Sequence, residues 1–242
     1  GDYVTINETI ETYFERETEY EYEDGVWQLE TMLGVGTYEW EYPYSIYANG
    51  DTCKRTLIVE VVEVSPADSI SALQGETSTT PWVGYVVELD GTITGISRNE
   101  GFFMQDANTA WSGVWVSYGE TSGLRVGDGV LVKGEAAEVS SVTTINAEEV
   151  SEADAPVEVE GIVVATPTDV EDEMYESVLV SVENATATAA NETTGEWTIY
   201  YDSFDNAIVN DLLYSFMPVE DYMYSVTGIV NGRLDMFKLE PR

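Results

Sequence analysis

The sequence predicts an all-β protein in which an acidic, tyrosine-rich and β-rich N-terminal region precedes two tandem five-stranded Greek-key barrels. Val, Ile, Thr and Tyr recur with a partial period of two along most of the 242 residues, as in strands with one buried face. Two later segments repeat the same order of blocks. Composition also changes near residues 65 and 154, which divides the chain into regions 1–65, 66–154 and 155–242.

The N-terminal region alternates between Glu and Tyr in ETYFERETEYEYEDG and GTYEWEYPY. In a strand this alternation places Tyr on one face and Glu on the other. A lone hairpin cannot bury an aromatic face, so we expect the region to add a strand to a neighbouring subunit or to pack back on its own first barrel. The residues expected to mediate assembly are Tyr13, Tyr20, Tyr22, Tyr38, Trp40, Tyr42 and Tyr44.

Five further runs are rich in β-branched or aromatic residues and are bounded by Gly, Asp, Ser or Pro. The predicted strands are 56–64, 83–96, 113–118, 129–139 and 157–164. One stretch, 205–216, has apolar residues at helical spacing, although a strand followed by a short loop fits it equally.

The repeat has a period of roughly 70 residues, which is long for a solenoid and indicates a duplicated domain. The first copy runs through 83–96, GFFMQD at 101–106, GVWV at 113–116 and VGDGVLVKG at 126–134. The second runs through YESVLVSV at 175–182, GEWTI at 195–199, AIV at 207–209 and VEDYMYSVTG at 219–228. Glycines at the block ends suit strands that bend across a small barrel.

In block order and in the phrases GFFMQD and VGDGVLVKG, the chain from residue 70 onward resembles the OB-fold modules attached to large secreted nucleases of bacteria and archaea and to other surface proteins. The resemblance implies two OB-like barrels. In that family the modules accompany a separate metal-dependent nuclease domain, which these 242 residues do not contain.

Charge and composition argue against several function classes. Nine Lys plus Arg oppose 46 Asp plus Glu, for a formal net charge of −37, so we expect no nucleic-acid partner and no basic groove for single strands. The absence of His excludes Ser-His-Asp, Cys-His and imidazole–zinc sites. No apolar run reaches membrane-spanning length. We expect no enzyme and no membrane span.

We expect no cofactor other than Ca²⁺ or Mg²⁺, which would relieve repulsion between carboxylates. Loop oxygens that suit such an ion are those of Asp106 and Asn108 and those of Asp202 and Asp205. None of them has EF-hand spacing, and ordinary Asx turns are the alternative interpretation.

Other features favour a secreted or cell-surface protein. Asn7, Asn184 and Asn191 begin N-x-[ST] sequons, which makes them candidate glycosylation sites. Cys53 is the single cysteine, and the following Lys54 and Arg55 favour its thiolate, so an intermolecular disulfide is one hypothesis and an inert thiol the other. Because the sequence begins at Gly1, we also expect that a signal peptide has been removed.

Two function classes remain. The first is a non-catalytic extracellular structural protein that self-assembles by strand pairing into a sheath, surface layer or filament on the cell surface. The alternative is a ligand-binding OB-fold accessory module of a secreted hydrolase or nuclease system.

Overall fold

The computed structural model describes residues 3–4, 36–45, 52–62, 67–233 and 236–242. The chain divides into two compact units, Gly1–Ser65 and Pro66–Arg242. The first unit contains an antiparallel sheet of order β1-β3-β2, formed by β1 (Tyr3–Val4), β2 (Gly36–Ser45) and β3 (Thr52–Val62). The β structure predicted for the N-terminal region is therefore present where the structure describes it, and the third strand begins at Thr52 rather than at residue 56.

In the second unit, a short helix leads into the first barrel. Helix α1 (Ile70–Gln74) is capped by Ser69, whose Oγ accepts from the Ala72 N–H at 3.2 Å, and it ends at Gly75 with φ +71°. The sequence did not predict this helix. Ile70 and Leu73 are fully buried and join the core of the barrel.

The first barrel closes in the order β4-β5-β6-β8-β7, with β6 and β8 parallel and the other pairs antiparallel. Its strands are β4 (Val86–Ser97), β5 (Gly101–Gln105), β6 (Gly113–Ser117), β7 (Gly129–Val139) and β8 (Val142–Glu152). Phe102, Met104, Val114 and Val116 point into its core, because they alternate along β5 and β6 with residues that point outward.

The second barrel repeats this order as β10-β11-β12-β14-β13, with β12 and β14 parallel, and β10 pairs with β11 to close it. A short strand, β9, lies parallel to β10. The strands are β9 (Ile162–Val163), β10 (Leu179–Ala187), β11 (Trp197–Tyr200), β12 (Asn206–Val209), β13 (Met223–Asn231) and β14 (Lys238–Pro241). The prediction of two tandem OB-like five-stranded barrels is confirmed, and the repeated blocks occupy equivalent strands.

Two local predictions need correction or a choice between alternatives. The strand predicted at 157–164 is wrong in extent, since only Ile162–Val163 pairs with a neighbour. The preceding residues instead contact the first barrel, where the Thr92 hydroxyl donates to the Val157 carbonyl at 2.7 Å. Stretch 205–216 forms β12 followed by a loop rather than a helix. No helix in the described part of the chain is long and apolar enough to cross a membrane.

Candidate functional site: the face between the barrels

The outer side of β5 and β6 is the position that OB-folds use for oligonucleotides and oligosaccharides, since the second and third strands of such a barrel form its ligand face. Here that position is the interbarrel face, defined as Phe103, Gln105, Gly113 and Trp115. Phe103 is 2% exposed and Gln105 is 0% exposed, because the second barrel covers them.

An apolar cluster forms the centre of this contact. Phe103 packs against Leu179 and Ile229 of the second barrel, and Trp115 lies beside it with the two ring centroids 4.6 Å apart. The remaining cavity on this side has a volume of about 30 Å³. A space of this size admits a water molecule, whereas ligand pockets usually measure about 300–1,000 Å³.

Buried hydrogen bonds fix the relative position of the barrels around that cluster. The Gln105 Oε1 accepts from the Leu179 N–H at 2.7 Å, and its Nε2 donates to the Ala107 carbonyl at 3.0 Å. At one side, the Trp111 N–H donates to the Met174 carbonyl at 2.7 Å. Arg242, at the C-terminus, donates through Nη1 to the Thr94 carbonyl at 2.9 Å.

Gly113 allows the two backbones to approach each other. A Cβ at this position would lie 2.3 Å from both the carbonyl carbon and the oxygen of Ser177. Real Cβ atoms do not come that close to backbone, so any side chain here would push the second barrel away.

A pair of carboxylates lies at the edge of the same contact. Thr143 donates from its N–H to Glu176 Oε1 at 3.0 Å and from its hydroxyl to Glu138 Oε1 at 2.8 Å, so one residue holds a carboxylate from each barrel. The Oε2 atoms of both glutamates are buried and have no hydrogen-bond partner among the described residues. Glu176 is 2% exposed.

The environment of Glu176 disfavours its charged form. Burial raises the pKa of this carboxyl to about 8, helped by the nearby carboxylates of Glu173 and Glu138. The Thr143 N–H and the Gln74 amide favour the charged form and oppose the rise in pKa, but no donor from the described residues makes a hydrogen bond to Oε2.

The loop residues predicted to hold a metal are placed in two separate barrels, where their side-chain oxygens accept hydrogen bonds and the Asn108 amide nitrogen donates one. Asp106 Oδ2 accepts from the Ile70 N–H at 2.8 Å, and Asn108 binds the Glu158 carbonyl and the Glu160 N–H. Asp202 closes an Asx turn, and Asp205 accepts from both the N–H and the hydroxyl of Thr168. Cation binding by these residues stays a prediction.

Of the candidate modification sites, Asn184 and Asn191 are exposed, whereas Asn7 lies outside the described residues. Asn184 lies at a bulge in β10 with φ +53°, and Asn191 accepts from the Thr193 N–H within a loop. Cys53 lies in β3 with Tyr44 as its register partner in β2. Trp40 and Tyr42 pair with Leu57 and Arg55 in the same ladder, Tyr38 pairs with Val59, and Tyr13, Tyr20 and Tyr22 lie outside the described residues.

Sequence reasoning did not assign a role to Gln105, Gly113, Glu138 or Glu176. The sequence does contain a signal for Gln105, because this polar residue directly follows the apolar run GFFM at the end of a strand, where a buried polar contact would be expected. No sequence signal marks Glu138 or Glu176, since they are two among 46 acidic residues and only packing buries Glu176 and the Oε2 atom of Glu138.

The second barrel presents the equivalent surface to solvent. Its open face, defined as Thr198, Tyr200, Asn206 and Ile208, lies on the outer side of β11 and β12, where these residues pair in register. Ile208 is 38% exposed, and Phe204 in the adjoining loop is 91% exposed.

Among the described residues, no group of three or more Asp, Glu or Cys side chains is arranged to hold a metal ion by itself. Comparison with known proteins gave no match to any family model, curated protein or solved structure.

Proposed function

We propose that this chain is a non-catalytic extracellular structural protein that self-assembles on the cell surface as the subunit of a sheath, surface layer or filament. The observation that supports this most is the covered interbarrel face. The surface with which an OB barrel ordinarily holds its ligand packs here against a second barrel, and the cavity beside Phe103 and Trp115 has a volume of about 30 Å³. The first barrel therefore uses this face to pack against the second barrel rather than to bind a ligand.

The N-terminal sheet supplies the second support for the proposal. Strand β2 is ten residues long and, within the described part of the chain, pairs only with β3. An edge of this length offers a row of backbone donors and acceptors to a strand from another chain. Strand addition at such an edge is a common way for subunits to join.

Composition is consistent with both the location and the mode of association. Tyr and Trp alternate with Glu through β2, so an assembling strand would bury an aromatic face while leaving acidic groups in solvent. A net charge of −37 keeps subunits apart in the absence of salt or divalent cations. Assembly is therefore expected to need the ionic conditions of a saline exterior.

Deletion of residues 2–24 tests the proposal. If this region donates a strand, the truncated chain folds but sediments as a monomer under conditions in which the full chain forms large particles. If the region packs back on its own chain, deletion lowers the melting temperature and leaves association unchanged. Analytical ultracentrifugation and thermal unfolding together distinguish the two, and a truncated chain that assembles like the full chain contradicts strand donation.

A matched pair of substitutions separates the aromatic face from the acidic one. Replacing Tyr20 and Tyr22 by Ser removes aromatic area, so assembly should be lost. Replacing Glu19, Glu21 and Glu23 by Gln keeps the aromatic face, so assembly should persist at equal or lower salt. The opposite pattern would assign assembly to the carboxylates rather than to strand packing.

A second candidate function rests on the open face of the second barrel. Tyr200 and Ile208 lie where OB-folds bind ligands, and Phe204 and Tyr201 (43% exposed) project from the adjoining loop. A ligand-binding accessory module of a secreted hydrolase or nuclease system would use this surface, and acidity favours a glycan over a nucleic acid. A monomer that binds polysaccharide, and loses binding on Phe204→Ala, would support this function instead.

A further inference from the structure

We propose that Glu138 and Glu176 form a calcium site that joins the two barrels at the edge of their contact. The proposal is independent of self-assembly, since it concerns two residues of one chain. It rests on two carboxylate oxygens that are buried without a hydrogen-bond partner among the described residues, and on a cavity lined by one of the two glutamates, Glu138.

Thr143 positions the two carboxylates. Thr143 binds an Oε1 of each carboxylate, which places the two groups side by side. Glu138 Oε1 also accepts from the Thr80 N–H at 2.6 Å, so both carboxylates are held in position through one oxygen. The other oxygen of each is buried and has no hydrogen-bond partner within the described ranges.

A cavity lies beside Glu138. This cavity of about 440 Å³ is lined by Glu138 and Gly232, and Glu176 Oε2 lies 3.1 Å from the point where a Cβ on Gly232 would be. The cavity thus has room for an ion and several waters beside Glu138. Its lining, none of which is basic, consists of Ser78, Thr79, Glu138, Ser141, Glu173, Gly232 and Phe237.

The oxygen ligands at this place favour Ca²⁺ over Mg²⁺. Two carboxylates, neighbouring hydroxyl groups and waters form a set of hard oxygen ligands of irregular geometry, which Ca²⁺ accepts and Mg²⁺ tolerates poorly. With two carboxylates rather than three, the site corresponds to the weak calcium sites of extracellular modules, for which Kd is about 10⁻⁴–10⁻³ M. A cation there would stabilise both carboxylates in their charged form and tie a residue of each barrel to the other.

The test compares thermal unfolding of the full chain in calcium chloride and in EDTA, with ionic strength equalised by sodium chloride. At roughly ten times Kd, calcium should raise the melting temperature by about 3–6 °C for a chain of this size. The gain should be lost in Glu176→Gln and in Glu138→Gln. It should persist in Glu120→Gln, which removes the same charge from an exposed loop.

Retention of the full calcium gain in either Glu176→Gln or Glu138→Gln would overturn the proposal, as would the absence of a gain in the unmodified chain. Far-UV circular dichroism in EDTA confirms that each variant is folded, and Gln preserves the shape of Glu. If one variant does not fold, the other decides. Equal loss in Glu120→Gln would show general charge screening and would also overturn the site.

Discussion

Glu176 and Glu240 are both buried, but their surroundings differ. Glu240 is 0% exposed and accepts from the side-chain amides of Asn210 and Asn231 and from the Leu212 N–H. Burial raises its pKa, and these hydrogen bonds oppose the shift. One Glu176 oxygen instead has no hydrogen-bond partner in the part of the chain that the structure describes, so the same substitution should have opposite effects at the two positions.

Glu176→Gln should stabilise the protein at alkaline pH when calcium is removed by EDTA. The carboxyl has an ordinary pKa of 4.5 and a pKa of about 8 in the folded chain. The protonated carboxyl therefore contributes its full stabilisation below about pH 4.5. As pH rises from there towards 8, the free energy of unfolding falls by on the order of 1 kcal/mol per pH unit. Urea unfolding in EDTA should show that the free energy of unfolding of Glu176→Gln exceeds that of the unmodified chain by more at pH 8 than at pH 5. An equal difference at both pH values would contradict the raised pKa of Glu176.

Glu240→Gln is the matched control for that prediction. A Gln amide would point a donor at the donors of Asn210, Asn231 and Leu212, which would leave buried polar groups unpaired. We expect a loss of about 1–3 kcal/mol in the free energy of unfolding. A neutral result would mean that the amides of Asn210 and Asn231 rotate to accept.

The contact between β6 and the start of β10 depends on one residue without a side chain. Gly113 brings the strand against the Ser177 backbone, and next to it the Gln74 Nε2 donates to the Gly113 carbonyl at 2.6 Å. Strand β6 thus connects the helix, the first barrel and the second barrel. This explains why a Gly begins a strand that otherwise reads VWVS.

Gly113→Ala should loosen the contact between the barrels, because the new methyl group would overlap the Ser177 backbone. The expected cost is about 1–3 kcal/mol, or a fall of about 3–10 °C in melting temperature. Gly119→Ala is the control, since no atom lies within 4 Å of its Cβ and its surroundings are exposed. Calorimetry that shows equal effects for the two would contradict the role given to Gly113.

Acidity dominates the behaviour of the whole molecule. With nine basic residues against 46 acidic ones, few cations are available to replace the counterions of a phosphate backbone. Two of those in the second barrel are already engaged, Lys238 with Glu196 and Arg242 with the Thr94 carbonyl. The OB fold alone therefore does not indicate nucleic-acid binding here.

Single-stranded and double-stranded DNA should both fail to bind measurably at physiological salt. The reason is that nine Lys and Arg are too few to offset the repulsion between 46 acidic residues and the phosphates. Fluorescence anisotropy with labelled oligonucleotides measures this directly. Micromolar affinity that falls steeply with added salt would contradict the prediction.

The strands and the duplicated barrel could be predicted from the sequence because both depend on local order. The period of two is visible in the run GVLVKGEAAEV at 129–139, and repeated turn residues are visible in the ordered blocks of the two copies. Neither signal requires knowledge of residues that are distant in the sequence. The strand predicted at 157–164 is wrong in extent because its first residues contact the first barrel, where Thr92 binds the Val157 carbonyl, and only Ile162–Val163 pairs with β10.

The pairing of surfaces could not be predicted in the same way. Phe103 and Gln105 alternate with core residues as any outward-facing residues would, and Glu176 stands in an acidic chain without distinction. Which outward face becomes buried depends on how the second barrel docks. The contacts of Phe103 with Leu179 and Ile229, and of Gly113 with Ser177, join residues that are at least 64 positions apart in the sequence. Burial, unpaired oxygens and raised pKa values follow from that docking, because each is set by atoms that are distant in the chain and adjacent in space.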